Sequence, residues 1–315
     1  MIMKKLAVPF AIAAMAAIAA PAQAAAPMVK SQAPGFYRMM LGDFEVTVLN
    51  DGTIDLPMDK LLHQKADKTN KTLGQHFLKS PVETSVNAFL VNTGSKLVLI
   101  DAGAGSLFGP TLGNIQKSLK AAGYAPEQVD EIYITHMHGD HVGGLGTQDK
   151  PAFPNAVVRM DKRDADYFLS KANLEQASAE GKGNFAGPIG ALSGYADKVK
   201  PFEGSTELVP GVRSSSSYGH TPGHTTYVVE SKGQKLVLIG DLMHNAAVQF
   251  REPGVTIEFD SDSKAALAQR KAAFAEAAKQ GYWMGAAHLP FPALGHLRAE
   301  GKGYQFFPVS YSALR

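Results

Sequence analysis

The sequence predicts an α/β fold in which two similar β-sheet halves face each other, with a functional site at the ends of buried strands. Three observations carry that expectation. Short apolar runs of strand length lead into a carboxylate or an imidazole: Leu97–Ile100 before Asp101, Ile132–Ile134 before His136, and Leu236–Ile239 before Asp241. The run Lys-Leu-Val-Leu-Ile occurs at 96–100 and again at 235–239, each time followed within two residues by Asp. Other segments, such as Leu112, Ile115 and Leu119, place apolar residues at helical spacing.

The chain has 315 residues, enough to bury a substantial core. Its first residues read differently. Lys4 and Lys5, the apolar run Leu6–Ala20 and the small-residue pattern Ala22-Gln23-Ala24 have the form of a secretory signal. Residues 1–24 are therefore expected to be removed, leaving one periplasmic or secreted domain over 25–315. The run is short for a bilayer span and contains Pro9, so no membrane segment is expected in the mature form. Ala25 to Gly35, with Pro27 and Pro34, predicts a flexible arm.

Cysteine is absent, which excludes disulfides, thiolate ligands and a cysteine nucleophile. The formal charge is +2, and loss of Lys4 and Lys5 brings it to about zero. No basic stripe or glycine-rich phosphate motif appears, so no nucleic-acid partner is expected.

From Tyr37 the chain alternates in strand fashion through Phe44, Val46 and Val48, and Asn50-Asp51-Gly52 predicts a hairpin turn. The polar stretch Leu56–Ser80 carries His63 and His76, both expected at the surface. Ser85–Val91 and Lys96–Asp101 predict two strands around a turn at Asn92-Thr93-Gly94. Asp101, at a strand end, reads as a loop-ordering acceptor. A helix is expected to follow, stopping at Gly123. Asp164–Leu174 predicts another helix, with Tyr167 and Phe168, and Gly181–Gly190 predicts a glycine-rich loop around Phe185. Val228–Asp241 predicts a second hairpin. Ser263–Gln280 predicts a helix capped by Ser261 or Asp262 and stopped by Gly281. A last strand and loop are expected over Trp283–Pro292.

The chemistry concentrates in Thr135-His136-Met137-His138-Gly139-Asp140-His141-Val142-Gly143-Gly144. Extended backbone sends residues two apart to one side, so His136 and His138 can converge on one ion. Gly139 lets the chain turn and present Asp140 and His141 to a neighbouring point, while Gly143 and Gly144 permit close backbone approach. Imidazole and carboxylate without thiolate suit zinc, and less selectively manganese, cobalt or iron. A hydrolytic zinc takes about three protein ligands. The remainder must come from His220, His224, Asp241 or His288.

Taken in order, His136-x-His138-x-Asp140-His141, Gly219-His220-Thr221-Pro222-Gly223, Gly240-Asp241 and His288 resemble the signature of the metallo-β-lactamase superfamily. From about Ala33 to Tyr311 the chain is also similar to methyl parathion hydrolases and their dihydrocoumarin-hydrolysing lactonase relatives. That similarity runs through Tyr37-Arg38-Met39, Val129-Asp130-Glu131-Ile132-Tyr133-Ile134-Thr135 and His296-Leu297-Arg298-Ala299-Glu300-Gly301-Lys302-Gly303-Tyr304. It implies a four-layer αββα sandwich, two divalent metal ions and a homodimer. One ion would take His136, His138 and His220, the other Asp140, His141 and His288, with Asp241 bridging. His224 and His296 would be structural.

Two cations sharing a water lower its pKa toward neutrality, so a metal-bridging hydroxide can attack an ester, with Asp241 as a possible proton acceptor. The resemblance further implies a substrate pocket of Phe108, Phe168 and Phe185, with Leu61, His244, Ile257 and Phe259 where organophosphate-degrading members carry other side chains. Bulk at Phe259 and His244 favours a planar lactone over a tetrahedral phosphotriester. The expected activity is that of a lactonase or arylesterase of the dihydrocoumarin type with weak phosphotriesterase activity. Alternatives are an organophosphate hydrolase, an acyl homoserine lactone lactonase, and a non-catalytic exported metal-binding protein.

Overall fold

In the computed structural model, which describes residues 26–147 and 149–314, two β-sheets lie face to face across an apolar core. The first holds β1 (Phe36–Leu41), β2 (Phe44–Leu56), β3 (Val82–Asn92), β4 (Leu97–Ile100), β5 (Glu131–Tyr133) and, after a small ribbon of β6 (Gly146–Thr147) and β7 (Lys150–Pro151), β8 (Val157–Arg159), hydrogen-bonded in that order. The second holds β9 (Glu207–Val209), β10 (Val212–Ser216), β11 (Thr225–Ser231), β12 (Gln234–Leu238), β13 (Trp283–Gly285), β14 (Leu294–Glu300) and β15 (Gly303–Pro308), also in chain order across the sheet. The expected signal segment lies outside the described residues. The described residues from Pro34 onward form one compact unit.

Alternation sorts the side chains. Phe89, Val91, Val98, Ile100 and Tyr133 enter the core between the sheets, while Ala88, Leu90, Leu97, Leu99 and Ile132 enter a second core on the outer face of the first sheet. Tyr133 stacks on Tyr227 across the interface at 5.6 Å between ring centroids. Burying each such large apolar side chain stabilises the fold by about 1.5–3 kcal/mol. Lys-Leu-Val-Leu-Ile forms β4 in one sheet and β12 in the other, so the repeated run marks equivalent strands of the two halves.

Helices cover the sheets. They are α1 (Met58–Leu61), α2 (Ala66–Gln75), α3 (Ile115–Ala121), α4 (Gly139–Val142), α5 (Lys162–Phe168), α6 (Lys171–Gln176), α7 (Gly183–Leu192), α8 (Ala246–Gln249) and α9 (Ser263–Gln280). Asp262 caps α9 by accepting from the Lys264 and Ala265 amides, and Gly281 ends it in the left-handed conformation (φ 68°). No helix among the described residues is long and apolar enough to cross a membrane.

Four local expectations change. Asn50-Asp51-Gly52 is a bulge inside the continuous strand β2, because the buried Asp51 carboxylate accepts from the Ala104 and Ile115 amides at 2.9 and 3.0 Å and pulls the extra residue inward. The glycine-rich segment over 181–190 is largely helix α7, since Phe185, Pro188, Ala191 and Leu192 are buried and packing overrides glycine's low propensity. The helix expected over Asp164–Leu174 breaks in two where Ser170 caps α6. Beyond β13, two further strands, β14 and β15, extend the second sheet.

Candidate metal centre

Strands β4 and β5 run parallel, as do β12 and β13, so each pair delivers its C-terminal residues to one edge. Asp101 follows β4, Thr135 to His141 follow β5, Asp241 follows β12 and His288 follows β13. His220 comes from the turn between β10 and β11, which joins the β5 loop through the Thr225 amide donating to the Thr135 carbonyl at 2.8 Å. The two glycines of the first motif are needed for closeness. A Cβ on Gly144 would lie 1.9 Å from the Ala102 carbonyl oxygen and one on Gly143 2.2 Å from that of Ala104.

His138 Nδ1 lies 3.0 Å from His136 Nε2 and 3.1 Å from His220 Nε2, and both Nε2 atoms face Asp241 Oδ2 at 3.6 and 3.5 Å. One proton on His138 Nδ1 can satisfy only one of its two nitrogen neighbours, so a lone pair is left facing a nitrogen. A cation at the centre of the four atoms removes that conflict. A second group adjoins: His141 Nε2 is 3.6 Å from Asp140 Oδ2 and 3.3 Å from Asp241 Oδ1, and His288 Nε2 is 3.4 Å from Asp140 Oδ2 and 3.1 Å from Asp241 Oδ2. His141 Nε2 and Asp241 Oδ1 are buried without hydrogen-bond partners. The donor set suits divalent zinc in both groups; Asp241 completes the first, lies within 3.3 Å of both histidines of the second, and forms a third group with His244 and His288.

Outer partners fix the imidazoles. His141 Nδ1 donates to Asp101 Oδ2 at 2.9 Å, His220 Nδ1 to Asp260 Oδ1 at 2.9 Å and His288 Nδ1 to the Ser85 carbonyl at 3.0 Å. His224 Nε2 accepts the Asp241 amide proton at 3.1 Å, while Ser217 holds its other nitrogen at 2.8 Å. Buried Asp164 ties the two histidine loops together, accepting from the Met137 amide, the Gly223 amide and the Thr221 hydroxyl. Burial pushes its carboxyl up to about 7 against those donors.

The two halves differ electrically in the metal-free protein. Burial drives the imidazoles of His136 and His220 well below their usual range and His138 to about 4. At His141 and His288 burial acts the same way, but Asp241 and Asp140 outweigh it, raising His141 well above the ordinary value and His288 to about 9. Burial would raise Asp241, yet His288, His141 and His136 hold it well below the carboxylate range.

Above this floor opens a cavity of about 580 Å³. Phe108, Phe168, Phe185, His244 and Phe259 line it, joined by Ile54, Leu56 and Tyr167. His244 also reaches the metal-binding atoms, with Nε2 3.1 Å from Asp241 Oδ2 and its ring stacked 5.2 Å from that of His288. Leu61 and Ile257 are not in the lining. Ile257 is fully buried and Leu61 packs beside it in a separate apolar cluster with Met58, Leu73 and Val248, behind the wall rather than on it. His296 stacks on Trp283 away from these groups, and His63 and His76 are exposed. Asp260 and Arg270 were not foreseen, having no motif beyond one acid after Phe259 and one cation in an alanine-rich helix.

Comparison with known proteins supports this fold. The profile of the family described as Metallo-beta-lactamase superfamily matches residues 81–286, more than half of the chain. An N-acyl homoserine lactonase of Bacillus cereus is 31% identical over 121 residues, which is 38% of this chain and 41% of the relative, so the match spans less than half of that protein. Among solved structures, hydrolase AbOPH of the beta lactamase superfamily superposes with a TM-score of 0.83 at 37% identity, covering 90% of this chain and 100% of the other. AidC, a dizinc quorum-quenching lactonase solved with a product, gives 0.81 at 26% identity over 89% and 99%.

Proposed function

The chain belongs to the metallo-beta-lactamase superfamily of hydrolases, and on that premise we propose that it is a dinuclear-metal lactonase or arylesterase of the dihydrocoumarin type, with weak phosphotriesterase activity. The observation that carries this reading is the pair of adjacent His/Asp groups on the floor of an aromatic pocket, with Asp241 in the first and within 3.3 Å of both histidines of the second. His136, His138 and His220 would hold one cation and Asp140, His141 and His288 the other. When bound, such a pair supplies water activated near neutral pH and an electrophile for the carbonyl oxygen.

The protein's own groups do the rest. Asp241 carries the negative charge that both halves share and is the candidate proton acceptor. Phe168 and Phe185, packed with Tyr167 at 5.0 to 5.9 Å between centroids, form an apolar aromatic wall for a substrate ring. His244 and Phe259, 5.7 Å apart between ring centroids, also line the pocket and add bulk to it. A planar lactone needs access to one face of its carbonyl, whereas a phosphotriester brings three substituents around phosphorus, so crowding favours the lactone.

A second reading, acyl homoserine lactone hydrolysis, is favoured by the likeness to AidC over most of both chains. Rates on zinc-loaded protein separate the readings. We expect kcat/KM to be highest for dihydrocoumarin, lower for acyl homoserine lactones and lowest for methyl parathion, with all three abolished by chelation. Dominant methyl parathion hydrolysis, or ester cleavage indifferent to chelator, would sink the proposal. Export to the periplasm or medium and homodimer formation belong to the same proposal, tested by the N-terminus of the exported protein and its mass in solution.

A further inference from the structure

Arg270 is fully buried in the middle of α9, an otherwise alanine-rich helix, and among the described residues is the largest side chain wholly sealed from solvent. Taking an arginine out of water is costly unless its donors are used. Here Nε donates to the Leu242 carbonyl, the residue after Asp241, and Nη1 to the carbonyls of Val255 and Pro253 at 2.6 and 3.3 Å. Nη2 makes no hydrogen bond but pairs electrostatically with Asp260 Oδ2 at 3.8 Å, and the other oxygen of Asp260 accepts from His220. Asp260 lies in the segment that follows these carbonyls and walls the pocket with Glu258, Phe259 and Ser261. The Ser261 amide also donates to the His220 carbonyl at 3.0 Å.

We propose that Arg270 is a positioning residue that locks the Phe259 wall of the pocket to the His136/His138/His220 half of the metal centre. The fork shape of guanidinium is what the arrangement requires, because one planar group reaches three backbone carbonyls and a carboxylate on different segments. A lysine ammonium at the same place has three donors on a single nitrogen and cannot span acceptors arrayed around the edges of a guanidinium. Through Leu242 the guanidinium fixes the chain leaving Asp241, and through Asp260 it fixes the tautomer and orientation of His220. The Asp140/His141/His288 half has its own outer supports in Asp101 and Ser85 and meets Arg270 only through the shared Asp241.

The inference rests on the reading of these groups as a dinuclear site, and the test separates the two. Cadmium is titrated into wild type, Arg270→Lys and Asp260→Asn, and followed by cadmium NMR, which gives one resonance per bound ion, alongside thermal unfolding. Wild type should bind two ions; a single ion or none overturns the dinuclear reading itself. Given two, Arg270→Lys should lose affinity for one ion by about 10- to 100-fold and keep the other. Asp260→Asn should lose the same ion, and the double variant little more. Phe274→Leu, a core change on the same helix, should lower the unfolding temperature while both affinities stay put. Two unchanged affinities in Arg270→Lys, or equal loss at both sites, overturn the role given to Arg270. If Arg270→Lys does not fold, Asp260→Asn decides by the same criterion.

Discussion

The carboxylate of Asp101 accepts the Nδ1 proton of His141 at 2.9 Å, and both its oxygens are pinned in addition by Thr135, whose amide and hydroxyl each donate at 2.8 Å. Asp101 does this from the left-handed backbone region, φ 62°, a conformation that costs a non-glycine residue about 1 kcal/mol or more. The neighbouring hydrogen bonds hold it there. In Asp101→Asn, the oxygen stays with the Thr135 amide and the NH2 group faces His141. The imidazole must then accept at Nδ1 and carry its proton on Nε2, the metal-facing nitrogen. We expect one of the two metal ions to bind about 10- to 100-fold more weakly with little change in unfolding temperature. Metal titration of the variant checks this, and unchanged affinity for both ions would refute the orienting role.

The opposite protonation of the two halves makes their metal affinities respond differently to pH. His141 and His288 hold protons in the metal-free protein, His288 up to about pH 9, so a cation entering there must displace them. Affinity in that half therefore falls as pH drops below about 9. His136, His138 and His220 are already neutral, with His138 titrating only near 4, so their half should hold its ion nearly unchanged across pH 5 to 8. Acidification should release one ion well before the other. Release of both along the same pH curve would contradict the charge assignment.

Much of this centre is written locally in the chain. His136 to His141 lie within one turn after a buried strand, and strand ends carry Asp241 and His288, so a reader of the sequence can collect all seven ligand candidates. The supports are another matter. Asp260 and Arg270 act through contacts made only when α9 folds back over the second sheet, and neither sits in a pattern that spacing can flag. Ile257 and Leu61 show the converse error, since an apolar residue near a pocket in sequence can face either way. Their side chains turn into the cluster with Met58 and Val248. The bulge at Asp51 and the helix over Gly183–Leu192 follow from tertiary partners that override local turn and glycine signals.

Glycine at 144 should be indispensable where other glycines are not. An alanine methyl there would sit 1.9 Å from the Ala102 carbonyl oxygen, on a backbone already bonded by the Gly144 amide to the Gly103 carbonyl at 2.9 Å. Separating the two segments also parts Asp101 from His141. Gly144→Ala is expected to lose about 3 kcal/mol of stability and to bind metal poorly. Gly190→Ala, inside α7 with open space around the new methyl, should be neutral or stabilising by up to about 1 kcal/mol. Denaturant unfolding of both variants tests the contrast.

Phe108 and Phe168 both line the pocket, but they should fail differently when truncated. Phe108 is 47% exposed, has no aromatic partner among the described residues and touches the metal-binding loop only by resting its ring edge on Gly139, so its main contribution is contact with bound substrate. Phe168 is buried, packs against Phe185, and sets its ring edge-on to His138 at 5.8 Å, so it supports a metal-binding imidazole as well as the substrate wall. Loss of contact that is equal in ground and transition states raises KM alone. Phe108→Ala should therefore raise KM for dihydrocoumarin about 5- to 20-fold, the equivalent of about 1–2 kcal/mol, with kcat held. Phe168→Ala should raise KM and also lower kcat by about 10-fold or more, because a loosened His138 misplaces the reacting groups. Equal effects of the two variants on kcat would show that the wall and the metal floor are mechanically independent.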